Sequence, residues 1–366
     1  MDDWFEKIAG SEKFNYLKSV PKPKVGWFSV SVPEEIFSAA GLLPFRITGD
    51  MADNTNQAGA ALSNNYCSYV LSCLSEGLDN VYEFVDGVVF SDACDMRKRM
   101  YEVWVKNVKT EYHFFYEMSK AFSQTGRVYF RSQMQELVQS LRTHFNCEIT
   151  NAQLRSAIAL HNETRRLLQR VYELRKKGEC CLNGKDVAAI IKAATVANKE
   201  EFNTRLSSLL EEIKPNSKQT KSLRVLFTGS YFDNPKIIEA VENSGAVIVC
   251  EDLSNGVKYL EGQIAENDDP LGAISDYYYF KSSCARIIDT DIRIDHMLKL
   301  VHEYNADAVI YFSLKFCDTN LMDFPYVQSR LNQENIPVLL VEGEHHSINI
   351  ENLKTRIETF IQTRLY

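Results

Sequence analysis

Several kinds of segment are missing from this chain of 366 residues. No apolar run approaches the roughly 18 residues that a membrane-spanning helix needs, and residues 1–6 are acidic where a secretory signal would be basic. The formal net charge is −8, so the chain offers no basic surface to nucleic acid or to an anionic membrane. These absences predict a cytoplasmic protein that binds neither nucleic acid nor membrane.

The short motifs of several common active sites are also missing. The sequence contains no CxxC, no HExxH and no C-x₂-C-x₂-C run, so any metal cluster must be assembled from residues far apart in the chain. Neither GxGxxG nor GxxxxGKS/T occurs. The loop 229–231 (Gly-Ser-Tyr) could hold a phosphate at the start of a helix, but without those motifs the support for a nucleotide site is weak.

Cysteine, in contrast, is plentiful, with nine residues in the chain. Their odd number and irregular spacing do not fit a secreted disulfide framework. In a reducing compartment three roles remain open for them: a buried apolar side chain, a ligand of a metal or cluster, and a catalytic nucleophile.

Two of the cysteines follow predicted strands. Cys317 comes after the apolar run 308–312, whose length and β-branched content predict a buried strand, and Cys94 comes after the short run 88–90. Open α/β sheets place their functional groups at the carboxyl ends of the strands. Cys67, in the segment NNYCS (64–68), has similar surroundings and is a third candidate. The sequence alone leaves open whether these three residues meet in space.

The other cysteines and the histidines give weaker signals. Cys250 ends a predicted strand and is interpreted as a small buried hydrophobe. His345 and His346 follow the last predicted strand, where a functional group and a solvated loop are equally good interpretations. The remaining cysteines carry no motif that favours a function: Cys73, Cys147, Cys180, Cys181 and Cys284.

The order of apolar and amphipathic segments predicts an α/β fold. Residues 25–30 form a predicted strand and Pro33 begins a predicted helix, which together make a β-loop-α unit. Residues 131–177 repeat apolar side chains at helical spacing, and Thr150 and Gln153 have the spacing of a capping box. Further predicted strands alternate with helices, which indicates mostly parallel sheets; they span 224–228, 245–250, 307–312 and 337–341.

We therefore predict two doubly wound, parallel-sheet domains of the Rossmann or flavodoxin-like type, with an additional helical region. The predicted limits are 1–130 for the N-terminal α/β domain, 131–215 for the helical region and linker, and 216–366 for the C-terminal α/β domain. The polar segment 214–222 marks the linker.

Several segments, spread in order over nearly the whole chain, resemble one protein family. They are VGWF (25–28), VPEEIFSAAGLLPFR (32–46), Cys67, SDACD (91–95), KFCD (315–318), DFPY (323–326), IPVLLVE (336–342) and TRIETF (355–360). Together they resemble the family that comprises the 2-hydroxyacyl-CoA dehydratases and the benzoyl-CoA reductases. No single segment would be specific enough.

The resemblance implies a cofactor and its ligands. In that family each subunit holds a [4Fe-4S] cluster with three cysteines, and the residues that match are Cys67, Cys94 and Cys317. The cluster is then expected in a cleft between the two α/β domains, with one iron left without a protein sulfur. Ser31 and Glu34 lie where the fold could place groups near the cluster or the substrate, and they are candidates for a direct catalytic role. Glu34 is an equally good helix-start residue.

The resemblance also implies a reaction and its partners. The family's dehydratases convert an (R)-2-hydroxyacyl-CoA into an (E)-2-enoyl-CoA through a ketyl radical, because the β-proton is too weakly acidic for an ordinary base. The electron comes from a separate ATP-dependent iron–sulfur activator protein. The length of this chain resembles the smaller, beta subunit of a heterodimer, so the acyl-CoA is expected on the larger, homologous alpha subunit.

Two alternatives remain at this point. One is a subunit of a benzoyl-CoA-type or double-cluster reductase, in which the electron is consumed instead of returned. The other belongs to a different class: a binding or scaffold protein that keeps the fold without a cluster, with its cysteines serving only as core residues. Counting electrons per product distinguishes the reductase from the dehydratase. Measuring iron distinguishes the protein without a cluster from both enzymes.

Overall fold

The computed structural model describes residues 3–50, 52, 54–178, 182–213, 222–281, 287–345 and 350–365. Four of the residues considered above lie outside this part of the chain, namely Cys180, Cys181, Cys284 and His346. Most of the predicted linker 214–222 lies outside it as well.

The N-terminal half of the chain builds a parallel sheet of four strands in the order β2-β1-β3-β4. They are β1 (Lys24–Trp27), β2 (Leu43–Arg46), β3 (Gly87–Ser91) and β4 (Tyr112–Tyr116). Every residue of β2 and β3 is buried, as expected for parallel strands covered by helices on both faces. The helices of this half are α1 (Asp3–Ala9), α2 (Lys13–Ser19), α3 (Glu34–Ala39), α4 (Asn56–Ala61), α5 (Ser68–Leu78) and α6 (Asp95–Asn107).

Four helices follow before the second sheet: α7 (Gln124–Phe145), α8 (Asn151–Lys176), α9 (Gly184–Ala194) and α10 (Lys199–Glu212). The predicted capping box defines the start of α8, where the backbone N–H of Gln153 donates to Thr150 Oγ1 at 3.2 Å and the backbone N–H of Thr150 donates to Gln153 Oε1 at 2.8 Å. No helix in the described part of the chain is both long and apolar enough to cross a membrane.

The C-terminal half repeats the same plan, with a parallel sheet in the order β6-β5-β7-β8. Its strands are β5 (Leu223–Gly229), β6 (Ala246–Asp252), β7 (Ala308–Leu314) and β8 (Val338–Gly343). All seven residues of β7 are buried, which agrees with the apolar run from which the strand was predicted. The helices are α11 (Pro235–Asn243), α12 (Val257–Leu260), α13 (Pro270–Tyr279), α14 (Thr290–Glu303), α15 (Asp318–Gln333) and α16 (Ile350–Leu365).

The strand order places a functional crevice in each half. The first strand of each sheet lies between the second and the third, so the connections leave in opposite directions on its two sides. Crevices open outside the carboxyl ends of the strands at such a point, which is β1/β3 in one sheet and β5/β7 in the other. The prediction of two parallel α/β units with additional helices is confirmed, whereas the domain limits stay a prediction.

Arg46, the last residue of β2, joins the two halves. Its side chain is 1% exposed and its guanidinium lies 5.3 Å from the ring centre of Trp27 and 4.6 Å from that of Tyr231. The same group donates hydrogen bonds to the carbonyl oxygen of Ser254 at 2.7 Å and to its Oγ at 3.0 Å. A buried charge that loses its hydrogen-bond acceptors is costly, so Arg46 stabilises the contact between the two halves of the chain.

Candidate functional site

Three cysteines that are far apart in the sequence line one cleft between the two sheets. Cys67 and Cys94 come from the N-terminal half and Cys317 from the C-terminal half, and the cavity has a volume of about 160 Å³. The walls also include residues at the carboxyl ends of β5 and β6. The structure therefore brings together all three cysteines that the sequence singled out.

Each of the three cysteines is the residue directly before a helix. Cys67 precedes α5 of 11 residues, Cys94 precedes α6 of 13 residues, and Cys317 precedes α15 of 16 residues. The N-terminus of a helix carries a partial positive charge, which stabilises a thiolate placed there. Three helix N-termini thus meet at one cleft, and a sulfur stands at the cap position of each.

Cys94 and Cys317 are close enough to Cys67 to affect the ionisation of its thiol. Cys67 is 7% exposed, and burial together with the charges of Cys317 and Cys94 raises the pKa of its thiol. A catalytic nucleophile needs the opposite effect, since its reactive form is the thiolate. A bound metal removes this repulsion because it neutralises the thiolates that coordinate it.

A tight turn positions Cys317. The backbone N–H of Cys317 donates to the carbonyl oxygen of Leu314 at 3.0 Å, and that of Lys315 donates to the carbonyl oxygen of Gly343 at 2.9 Å. Phe316, the third residue of the turn, has a φ of 60°, in the left-handed region that glycine favours. A side chain held there costs about 1–2 kcal/mol. The strained residue lies directly before Cys317, which lines the cleft. Strained backbone is common at functional sites.

Cys317 also receives a side-chain hydrogen bond. Asn320 Nδ2 lies 3.1 Å from Cys317 Sγ, within the first turn of α15. The hydroxyl of Tyr311 donates to the backbone oxygen of Asn320 at 3.0 Å and lies 3.3 Å from its Oδ1. Tyr311 and Asn320 both line the cleft.

Ser31, one of the two predicted catalytic residues, lines the cleft. Its hydroxyl stands in a row of three, 2.8 Å from Ser29 Oγ and 3.0 Å from Ser91 Oγ. The hydroxyl of Tyr116 donates to the carbonyl oxygen of Ser31 at 2.7 Å. These contacts fix the loop after β1 against the end of β3, so the Ser31 hydroxyl has a defined place in the cleft.

Glu34, the other predicted catalytic residue, lies outside the cleft wall. Its carboxylate is 3% exposed and accepts hydrogen bonds from Lys199 Nζ at 3.0 Å and from the hydroxyl of Tyr259 at 2.8 Å. It borders a separate, smaller pocket together with His161 and Arg165. The structure brings Ser31 to the cleft of the three cysteines and leaves Glu34 in a buried ion pair with Lys199 outside it.

Sequence reasoning missed Asp252, a buried carboxylate of the cleft. Asp252 is 3% exposed, ends β6, and accepts from Thr228 Oγ1 at 2.7 Å through Oδ2. Its Oδ1 has no hydrogen-bond partner among the described residues. Its position after the apolar run 247–250 is the same strand-end signal that identified Cys317, so the sequence could have indicated it.

His296 connects Asp252 with Glu261. His296 Nε2 lies 2.6 Å from Glu261 Oε1, and Nδ1 lies 3.8 Å from Asp252 Oδ1. Burial alone would lower the pKa of His296, but the hydrogen bond with Glu261 and the charge of Asp252 raise it. The C-terminal wall of the cleft therefore carries a histidine between two acids that favour its protonated form, a feature that sequence spacing did not reveal.

Asp50, Asp233 and His345 form a second group of oxygen and nitrogen atoms, which lie within 4.8 Å of one another. Lys192 Nζ stands 2.9 Å from Asp50 Oδ2 and 2.9 Å from Asp233 Oδ2. Burial would raise the pKa of Asp50, but Lys192 and Lys13 hold it well below its usual value. The ammonium group supplies the positive charge that a metal ion would bring, so this group is better explained as an ionic link between the halves.

His345 belongs to this link. It is 5% exposed and its Nε2 lies 2.9 Å from the carbonyl oxygen of Thr48. The interpretation of His345 as part of a solvated loop is therefore wrong. Cys250, predicted to be a buried hydrophobe, is fully buried, and so is Cys73.

Comparison with known proteins places this chain in a family. The model of the family described as 2-hydroxyglutaryl-CoA dehydratase, D-component, matches residues 29–363. One subunit of the benzoyl-CoA reductase of Thauera aromatica is 26% identical over 97% of this chain and 95% of its own length. The beta subunit of (R)-phenyllactyl-CoA dehydratase of Clostridium sporogenes is 22% identical over 99% of this chain and 98% of its own length.

A further relative is the beta subunit of (R)-2-hydroxyglutaryl-CoA dehydratase of Acidaminococcus fermentans, 22% identical over 98% of this chain and 97% of its own length. These relatives match the chain from end to end, and the family model covers all three cleft cysteines. The resemblance predicted from the sequence is confirmed, as is the prediction of a dehydratase-type enzyme subunit at the level of the family. The chain belongs to the 2-hydroxyglutaryl-CoA dehydratase D-component family.

Proposed function

We propose that this chain is the iron–sulfur subunit of a 2-hydroxyacyl-CoA dehydratase, in which Cys67, Cys94 and Cys317 hold a [4Fe-4S] cluster. The proposal is carried by one observation: three cysteines, each at the N-terminus of a different helix, line one cleft in a chain of this family. When bound, such a cluster supplies one-electron chemistry at low potential.

The donor set of the cleft fits this cofactor. Thiolates are the usual protein ligands of iron–sulfur clusters, and three of them leave one iron for a ligand that is not a protein sulfur. The positive ends of α5, α6 and α15 favour the negative charge that the thiolates bring. The cleft thus combines the thiols, the positive helix ends and a volume of about 160 Å³ at one place.

Ser31 is the residue proposed to act directly in the cleft. Its hydroxyl can donate a proton or a hydrogen bond to a group bound there, while the hydroxyls of Ser29 and Ser91 keep it in place. For Glu34 we propose a positioning role, since Lys199 and Tyr259 hold its carboxylate and thereby fix the start of α3. The loop that carries Ser31 leads into that helix.

The acyl-CoA is proposed to bind mainly on a partner subunit. Pockets that bind small molecules have volumes of about 300–1,000 Å³, whereas the cleft of this chain measures about 160 Å³. A coenzyme A thioester is larger than a typical small ligand, so this cleft is too small to enclose it. The proposed role of this subunit is to hold the cluster that passes electrons to the site where the thioester binds.

The partners proposed for this chain follow from the same reasoning. Several relatives are named beta subunits, and they have nearly the length of this chain. We infer a heterodimer with a larger, homologous alpha subunit and a separate ATP-dependent iron–sulfur activator that supplies the electron. The GxxxxGKS/T motif of many ATP-binding sites is missing from this sequence, which is consistent with ATP hydrolysis on another protein.

A second candidate function is that of a reductase subunit. It is favoured by the relative from the benzoyl-CoA reductase of Thauera aromatica, which is 26% identical over 97% of this chain. In a reductase the electrons remain in the product, whereas a radical dehydratase recovers its electron at the end of each turnover. The two functions therefore differ in the amount of reductant consumed.

Electron counting tests the proposed function. The chain, purified without oxygen together with its partner subunit, is mixed with activator, ATP, a limiting amount of reductant and a 2-hydroxyacyl-CoA. We expect many molecules of enoyl-CoA for each electron supplied. A parallel assay offers an aromatic acyl-CoA: its reduction in fixed proportion to the reductant, with no enoyl-CoA formed from the hydroxyacyl-CoA, would contradict the dehydratase and support the reductase. Boiled activator serves as the control for uncatalysed elimination.

A further inference from the structure

Cys317 is held by a side-chain contact that is directed at its sulfur. Asn320 Nδ2 lies 3.1 Å from Cys317 Sγ, within the distance of an N–H···S hydrogen bond. We propose that Asn320 sets the reduction potential of the cluster by donating a hydrogen bond to the Cys317 thiolate, with Tyr311 holding its amide in the donating orientation. This inference rests on the proposed function, because it requires that Cys317 is a cluster ligand.

The position of Asn320 in the helix explains the contact. Asn320 is the third residue of α15 and its backbone N–H donates to the carbonyl oxygen of Cys317 at 3.0 Å. A polar side chain at this position usually reaches back toward the cap residue. Because the cap residue here is a cysteine, the Asn320 side chain reaches a sulfur atom.

Tyr311 determines which end of the Asn320 amide faces the sulfur. Its hydroxyl lies 3.3 Å from Asn320 Oδ1 and donates to the backbone oxygen of the same residue at 3.0 Å. Tyr311 is 4% exposed, in the middle of the buried strand β7, so its hydroxyl has a fixed location. A thiolate can only accept a hydrogen bond, so it requires the NH₂ group of the amide on its side. Oδ1 of the amide then faces the Tyr311 hydroxyl, which can donate to it.

The effect on the cluster has a definite sign. Reduction adds negative charge to the cluster and its sulfur ligands, so a hydrogen bond to a ligand sulfur is stronger in the reduced state. A donor at this place stabilises the reduced cluster and raises its potential. Loss of the donor is expected to shift the potential to a more negative value and to leave the three ligands in place.

The test measures the potential of the cluster in the purified complex and not only its activity. Asn320→Leu removes the donor with a side chain of similar size, and Tyr311→Phe removes the group that orients it. Met322→Leu, on a side chain of α15 that is 72% exposed, is the control. Each complex is purified without oxygen, its iron is counted, and its potential is obtained by redox titration followed by electron paramagnetic resonance.

We expect a more negative potential for Asn320→Leu, a smaller shift of the same sign for Tyr311→Phe and no shift for Met322→Leu. A potential equal to that of the unchanged complex in Asn320→Leu, with its iron retained, would overturn the inference. If Asn320→Leu loses its iron, an unshifted potential in an iron-loaded Tyr311→Phe complex has the same consequence. Absence of iron from this chain in the unchanged complex would instead refute the proposed function.

Discussion

Replacing Cys317 by serine is expected to remove the cluster from this subunit and to lower the activity of the enzyme by more than about 100-fold. Changes to residues that only orient a metal ligand cost about 10- to 100-fold in affinity or activity, and loss of a ligand should exceed that. The same result is expected for Cys67→Ser and Cys94→Ser, because all three cysteines line one cleft. Iron analysis and the turnover rate of the oxygen-free complex check this expectation.

Cys250→Ser is the matched control for this series. Cys250 is fully buried at the end region of β6, so a serine hydroxyl there costs about 1–3 kcal/mol of stability if it finds no partner. The variant should therefore unfold more easily and still retain its iron. Loss of iron from Cys250→Ser, with iron kept in Cys317→Ser, would show that the ligands have been assigned to the wrong cysteines.

Replacing Arg165 by methionine is expected to lower the free energy of unfolding by about 3–5 kcal/mol, as is typical when one partner of a buried ion pair is removed. Arg165 of α8 forms an ion pair with Glu35 of α3, and the Glu35 side chain is fully buried. Without the guanidinium, the carboxylate keeps the hydrogen bond from the Tyr278 hydroxyl at 2.9 Å but loses its charge partner. Denaturant-induced unfolding of the complex gives the measurement.

Arg166→Met provides the control for Arg165→Met. Arg166 is the next residue of α8 and pairs with Glu163, but its side chain is 55% exposed. An exposed pair of this kind contributes about 0–1 kcal/mol. Equal losses of stability in the two variants would show that the buried pair does not hold α3 against α8.

The pH dependence of the Arg165→Met effect has a predictable sign. Burial alone would raise the pKa of Glu35, but Arg165 and His161 lower it to about 2, from an ordinary value of 4.5. A carboxyl group whose pKa is lowered by folding stabilises the native state above its ordinary pKa, and this stabilisation is lost as the pH falls toward 2. The difference in stability between the unchanged chain and Arg165→Met should therefore shrink between pH 4.5 and pH 2.

Much of the fold could be predicted because its signals are local. The apolar run 308–312 lies inside β7 (Ala308–Leu314), and the Thr150–Gln153 capping box starts α8. Strand β6 extends past its apolar run to Asp252, since the charge of Glu251 is met there by Arg175 of α8 at 2.6 Å. The charged residues lie beyond the apolar run, so Asp252 was missed although its position just after that run is a strand-end signal.

The site depended on contacts that no local pattern contains. Glu34 was a candidate for the cleft because it follows the first strand, but Lys199 and Tyr259, 165 and 225 residues away in the sequence, bind its carboxylate. Strand-end position favoured Cys94 and Cys317 without showing that they meet Cys67. The grouping of the three came from the family resemblance, and the cleft they share became visible only in the fold.

The iron content of this subunit shows whether the three cysteines of the cleft hold a cluster. The complex is purified without oxygen, once with the unchanged chain and once with Cys67, Cys94 and Cys317 all replaced by serine. We expect the unchanged complex to contain about four iron and four sulfide more than the triple variant, and to show the Mössbauer spectrum of a [4Fe-4S] cluster. Equal iron contents in the two complexes would show that the three cysteines of the cleft do not hold a cluster.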